Sequence, residues 1–133
     1  MSHNSCSIRV LVVDDEVIIA DTLTTILRQR GYDAHTAYSA ERALEWCRDK
    51  LPKAVITDVI MGPMNGVQLA IHLANTLPDC KVLILSGHVL AASSIADSIA
   101  RGYEFPILAK PVHPQEILDF LESVHPLDPP MSR

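Results

Sequence analysis

Short apolar runs alternate with longer stretches of helical periodicity, and the pair repeats five times along the chain. Ile8-Arg9-Val10-Leu11-Val12-Val13 is rich in β-branched residues and predicts a buried first strand. Glu16 to Arg30 follows as a helix. Val17, Ile18, Ala20, Leu23, Ile26 and Leu27 fall on its apolar stripe, and Gly31 supplies the stop. Tyr32 to Ala37 is more polar and alternating, as an edge strand is. Ser39 is placed to cap a helix from Ala40 to Lys50, with Leu44 and Cys47 facing in and Pro52 ending it. Ala54-Val55-Ile56 begins a third strand that ends at Asp58, and Asn65 can cap the helix that runs on to Leu77. Lys81 to Leu85 is a fourth strand ending at Ser86. A small-residue helix covers Ala91 to Arg101. Pro106 to Ala109 is a short fifth strand ending at Lys110. Pro114 opens the closing helix, Gln115 to Val124.

Five strand–helix repeats predict a parallel sheet with helices on both faces. The first, third and fourth strands are continuous apolar runs and belong in the middle. The second and fifth are shorter or more polar and belong at the edges. The order 2-1-3-4-5 satisfies this, giving an α/β, flavodoxin-like, doubly wound five-stranded sheet.

Length and charge narrow the function. At 133 residues the chain has room for one domain with one sizeable core, here 8–124, between tails 1–7 and 125–133. The net charge of −5 gives no basic footprint, so no direct DNA binding is expected. No apolar run approaches the ~20 residues of a membrane span, and the N-terminus lacks a basic leader. A cytoplasmic location is expected. Cys6, Cys47 and Cys80 are odd in number and form no CxxC pair, which argues against a disulfide framework or a zinc site. The histidines show no ligand spacing.

Candidate chemistry gathers at the strand ends. In such sheets the carboxyl ends of all strands lie along one rim, and ligands bind there where the strand order reverses. Asp14 and Asp15 end the first strand, Asp58 the third, Ser86 the fourth and Lys110 the fifth. Each residue alone is common; their arrival at one rim is not. Three carboxylates in one pocket raise one another's pKa, and a hard divalent cation relieves the repulsion. Mg2+ favours oxygen ligands of this kind. Asp58 can then stay ionised as a nucleophile toward phosphorus. Lys110 can act as a point-charge clamp on phosphoryl oxygens, and the Ser86 hydroxyl can donate to them.

Val10 to Glu16, Asp58 to Met61 with Met64-Asn65-Gly66, Leu85-Ser86-Gly87 and Lys110-Pro111 together resemble the receiver domain of two-component response regulators. The resemblance covers residues 8 to 124, with all four motifs in order. It implies that Asp58 is the phosphorylated residue, with a sensor histidine kinase or histidine phosphotransfer protein as donor. It implies Mg2+ held directly by Asp15, Asp58 and the backbone carbonyl of Ile60, with Asp14 acting through water. Ser86 matches the family's switch hydroxyl and Lys110 its phosphate-binding lysine, whose bond to Pro111 is usually cis in the family. The fourth helix, fifth strand and fifth helix would form the output face and a homodimer contact.

Two positions depart from the family pattern. Gly62 stands where the family has proline, and Pro63 follows one residue later. Ile107 stands where the family has Tyr or Phe; Tyr103 and Phe105 are the nearest aromatics. By the same resemblance, Ile60 and His88 occupy the positions that in the family tune the lifetime of the acyl phosphate. An aliphatic Ile60 cannot orient an attacking water, which favours slow hydrolysis; His88 can oppose that by bonding water or phosphate.

The leading reading is a stand-alone phosphoacceptor switch rather than an enzyme, since nine residues follow 124 and output then needs an as yet unknown partner protein. The alternative is a pseudo-receiver, an interaction module independent of phosphate. An aspartate-nucleophile phosphatase would need an acidic residue where Ile60 stands. A flavin carrier would need a phosphate loop where Asp14-Asp15-Glu16 stands.

Overall fold

The computed structural model describes residues 8–87 and 91–124, and of residues 91–94 the backbone only. The tails 1–7 and 125–133, Cys6 and His88 lie outside the described residues. Five strand–helix pairs follow in order: β1 (Arg9–Val13), α1 (Val17–Gln29), β2 (Asp33–Ala37), α2 (Ala40–Lys50), β3 (Ala54–Asp58), α3 (Gly66–Thr76), β4 (Lys81–Ser86), α4 (Ala91–Ala100), β5 (Ile107–Ala109) and α5 (Pro114–Val124). The sheet is parallel throughout, in the order β2-β1-β3-β4-β5.

The strands sort their side chains by parity. Val10 and Val12 join Ile56, Leu83 and Leu85 in one core with Ala20 and Leu27 of α1 and Ile117 and Leu121 of α5. Leu11 and Val13 join Val55, Val82 and Ile84 in the other, under α2 and α3. Two apolar layers thus sandwich the sheet, which explains why the central strands carry continuous apolar runs.

Local signals end the helices where the sequence places them. The Ser39 hydroxyl accepts from the Arg42 N–H at 3.1 Å. Asn65 and Gln68 form a reciprocal capping box, each bond 2.8 Å. Gly31, just past α1, takes φ +94°, a conformation that favours glycine.

The α1 stripe corrects the expectation. Its buried residues are Ala20, Thr24 and Leu27, while Val17 and Ile18 are 50% and 80% exposed. The helix is apolar over more than one face, and only part of that surface meets the sheet. The rest, Ile18, Ile19 and Ile26, lines an open groove of about 600 Å³ shared with Pro111 and Ile117, with Leu23 at its margin packed against the core as expected.

Candidate functional site

Strand register decides which side chains meet. Val13 of β1 pairs with Thr57 of β3. Asp14 and Asp58 each follow by one residue, so they emerge side by side from neighbouring strands. Asp15 comes next, and carboxylate oxygens of Asp14, Asp15 and Asp58 all lie within 4.8 Å of one another. Among the described residues this is the only such cluster of three or more possible metal ligands.

Lys110 reaches the cluster from β5, across β4. Its Nζ lies 3.1 Å from Asp58 Oδ1 and 3.8 Å from Asp14 Oδ2. Two features aim it. Its backbone N–H donates to the Ser86 carbonyl at 2.9 Å. Its stem crosses Gly87 so closely that a Cβ there would sit 3.0 Å from Lys110 Cδ. The Lys110–Pro111 peptide is cis.

The carboxylates sit in unequal surroundings. Asp14 is buried, Asp58 half-buried and Asp15 exposed. Burial raises the Asp14 pKa above its ordinary value; the repulsion of Asp58 and Asp15 adds to this, while the Glu16 N–H and Lys110 oppose it. That N–H donates to Asp14 Oδ1 at 3.0 Å. The donors are hard oxygens carrying more negative charge than one ammonium offsets. Such a set fits Mg2+ rather than a soft metal.

Ser86 ends β4, half-buried and paired with Ala109 beside Lys110. Ile60 lies two residues past Asp58, its side chain 45% exposed. Ile107 is 39% exposed on edge strand β5. Phe105 packs against the core under α2 and α3 and stacks on Tyr103, centroids 6.2 Å apart. Cys47 and Cys80 are buried, and desolvation pushes each thiol up to about 12, so neither is a nucleophile at neutral pH.

Two further residues, Thr57 and Gly66, bear on the backbone of Asp58. The Thr57 hydroxyl donates to the Asp58 carbonyl at 2.9 Å. Gly66 packs so tightly on that carbonyl that a Cβ would overlap its oxygen. The available signal was a lone polar residue closing an apolar strand.

Residues 10–122 match the family model of the response regulator receiver domain. The chain belongs to that family. The response regulator MprA of Mycobacterium ulcerans is 30% identical over 112 residues, 84% of this chain and 47% of MprA. The DNA-binding transcriptional regulator NtrC of Azospirillum brasilense is 26% identical over 113 residues, 85% of this chain and 23% of NtrC. The receiver domain therefore spans about half the length of MprA, at 47%, and less of NtrC. Among solved structures, a response regulator receiver protein from Pseudomonas putida superimposes with a TM-score of 0.76 at 28% identity, covering 88% of this chain and 97% of that one. The receiver domain of NtrX from Brucella abortus gives 0.74 at 29% identity, covering 86% and 96%. The fold and family expectations hold. No helix among the described residues is long and apolar enough to cross a membrane.

Proposed function

We propose that Asp58 accepts a phosphoryl group and that the resulting charge switches the domain's contacts with a partner protein. The observation that carries this reading is the Lys110–Asp58 ion pair at 3.1 Å, set inside a cluster of three carboxylates. An Asp58 carboxylate oxygen attacks phosphorus, the new O–P bond forms, and the bond from phosphorus to the donor breaks. With a phosphohistidine donor, the leaving imidazole nitrogen keeps the electron pair and takes a proton from solvent. Lys110 holds the transferring oxygens by charge, and the Ser86 hydroxyl donates to them afterwards. Asp14, Asp15, Asp58 and the Ile60 carbonyl are the residues that would hold Mg2+. When bound, Mg2+ supplies positive charge that offsets the carboxylates and the phosphoryl oxygens.

The apolar groove beside Lys110, with Ile18 80% exposed, supports a protein donor, a sensor histidine kinase or phosphotransfer protein. Exposed Ile99 and Ile107 support output through α4, β5 and α5, toward a partner or a second copy. The net charge of −5 supports a role for this segment other than contacting nucleic acid, and a cytoplasmic location follows from the donor class. A phosphate-independent interaction module would have no need of the Lys110 pairing.

Intact-mass analysis after incubation with acetyl phosphate and Mg2+ tests the reading, with Asp58→Asn in parallel. One Mg2+-dependent phosphoryl adduct, absent from the variant, is expected. No adduct, together with no binding of beryllofluoride, overturns it in favour of the interaction module.

A further inference from the structure

Thr57 is the polar residue in the otherwise apolar run of β3, and its exposure is 0%. A hydroxyl at such a place carries a desolvation cost that valine, of nearly the same shape, avoids. A hydrogen-bond partner offsets that cost. The partner is the carbonyl of the next residue, Asp58, at 2.9 Å. The same carbonyl is pressed by the first residue of α3: a Cβ on Gly66 would overlap the Asp58 oxygen and come within 3.0 Å of Thr57 Oγ1. The Gly66 N–H in turn donates to the Val59 carbonyl at 2.8 Å. The two ends of the segment 59–65 are thereby joined by the Gly66 N–H bond to Val59, with Gly66 packed against the carbonyl that the Thr57 hydroxyl holds. In the middle of that segment, a Cβ added at Gly62 would meet open space.

We infer that Thr57 is a positioning residue for the phosphoacceptor site: its hydroxyl fixes the peptide that joins the Asp58 carboxylate to the Ile60 carbonyl. Thr57 itself touches neither phosphate nor cation. It acts by holding constant the relation between two groups that must face the same cation. The inference rests on the reading of Asp58 and Ile60 given above.

The experiment compares Thr57→Val, which keeps shape and loses the donor, with Thr57→Ser, which keeps the donor. Three quantities are read on the full chain: the dissociation constant for Mg2+ alone by calorimetry, the hydrogen exchange of the Gly66 amide by NMR, and the acetyl phosphate rate. Thr57→Val is expected to weaken Mg2+ binding about tenfold, the effect of roughly 1.4 kcal/mol. It should also speed Gly66 exchange, and lower the rate at subsaturating Mg2+ more than at saturating Mg2+. Thr57→Ser restores all three. Parental Mg2+ affinity in Thr57→Val overturns the inference, and so does a Thr57→Ser variant as impaired as Thr57→Val, since the hydroxyl would then not be what positions the site. Should Thr57→Val not fold, Thr57→Ala takes its place under the same criteria. A parent protein that takes up no phosphoryl group counts against the proposed function. The Mg2+ and exchange readings stand apart from that outcome.

Discussion

Lys110 Nζ lies closer to Asp58, at 3.1 Å, than to the more deeply buried Asp14, at 3.8 Å. The ammonium is thus directed at the carboxylate proposed to receive phosphorus, where charge on the transferring oxygens develops. Replacing Lys110 by Met keeps the stem that lies against Gly87 and removes the charge. The acetyl phosphate rate should fall about 10²-fold, the usual loss when one preorganised electrostatic group is removed. Stability should change by less than about 1 kcal/mol, because the pair is partly open to water. A mass-spectrometric time course and a urea titration check both. A parental rate in Lys110→Met contradicts the clamp.

Asp14 gives a pH prediction of unusual sign. Burial, with Asp58 and Asp15, holds its folded pKa above the ordinary carboxylate value despite the Glu16 N–H and Lys110. The folded state therefore binds the proton more readily than the unfolded chain, and stability falls as pH rises from the unfolded value near ~3.9 through the folded one. Above the folded pKa the cost is fully present. Asp14→Asn keeps an acceptor for the Glu16 N–H and removes the charge. It should raise the urea midpoint at pH 7 without divalent cation, and the gain should fade as the solution is acidified toward about pH 4. Mg2+ should stabilise the parent by binding the folded state, and stabilise Asp14→Asn less. A less stable Asp14→Asn at pH 7 without cation contradicts this account.

Thr24 offers the reverse test of a buried hydroxyl. It lies on the sheet-facing side of α1, is 3% exposed, and its Oγ1 has no hydrogen-bond partner. Nothing compensates the water it loses, unlike Thr57. Thr24→Val keeps the β-branched shape and should stabilise the domain by about 1 kcal/mol. The readout is the urea midpoint at constant m-value, and a lowered midpoint sinks the claim.

The two threonines mark what was legible in the chain. Strand order was readable because continuous apolar runs must be central, and the meeting of Asp14, Asp58 and Lys110 was readable because each ends a strand. Which apolar stripe of α1 meets the sheet was not readable. Ile18, Ile19 and Ile26 satisfy helical periodicity as well as Ala20, Thr24 and Leu27 do, and only packing separates the two sets. The Thr57 bond was hidden for a different reason: a hydroxyl at a strand end is as readily a solvated turn residue until the approach of Gly66 is known.

The outward stripe of α1 carries the last prediction. Ile18 is 80% exposed near the start of the helix, so its side chain contributes little to the fold. Ile18→Asp places a carboxylate in the first turn, where the helix dipole favours it. Stability should stay within about 0.5 kcal/mol. Phosphorylation by acetyl phosphate, which needs no docking surface, should keep its parental rate. Transfer from a phosphohistidine-bearing protein should slow about tenfold if that donor covers the groove shared by α1 and α5, the effect expected when one apolar contact of roughly 1.4 kcal/mol is lost. Equal slowing with both donors would place the defect in the acceptor site instead. Unchanged transfer from the protein donor would move its docking surface away from α1.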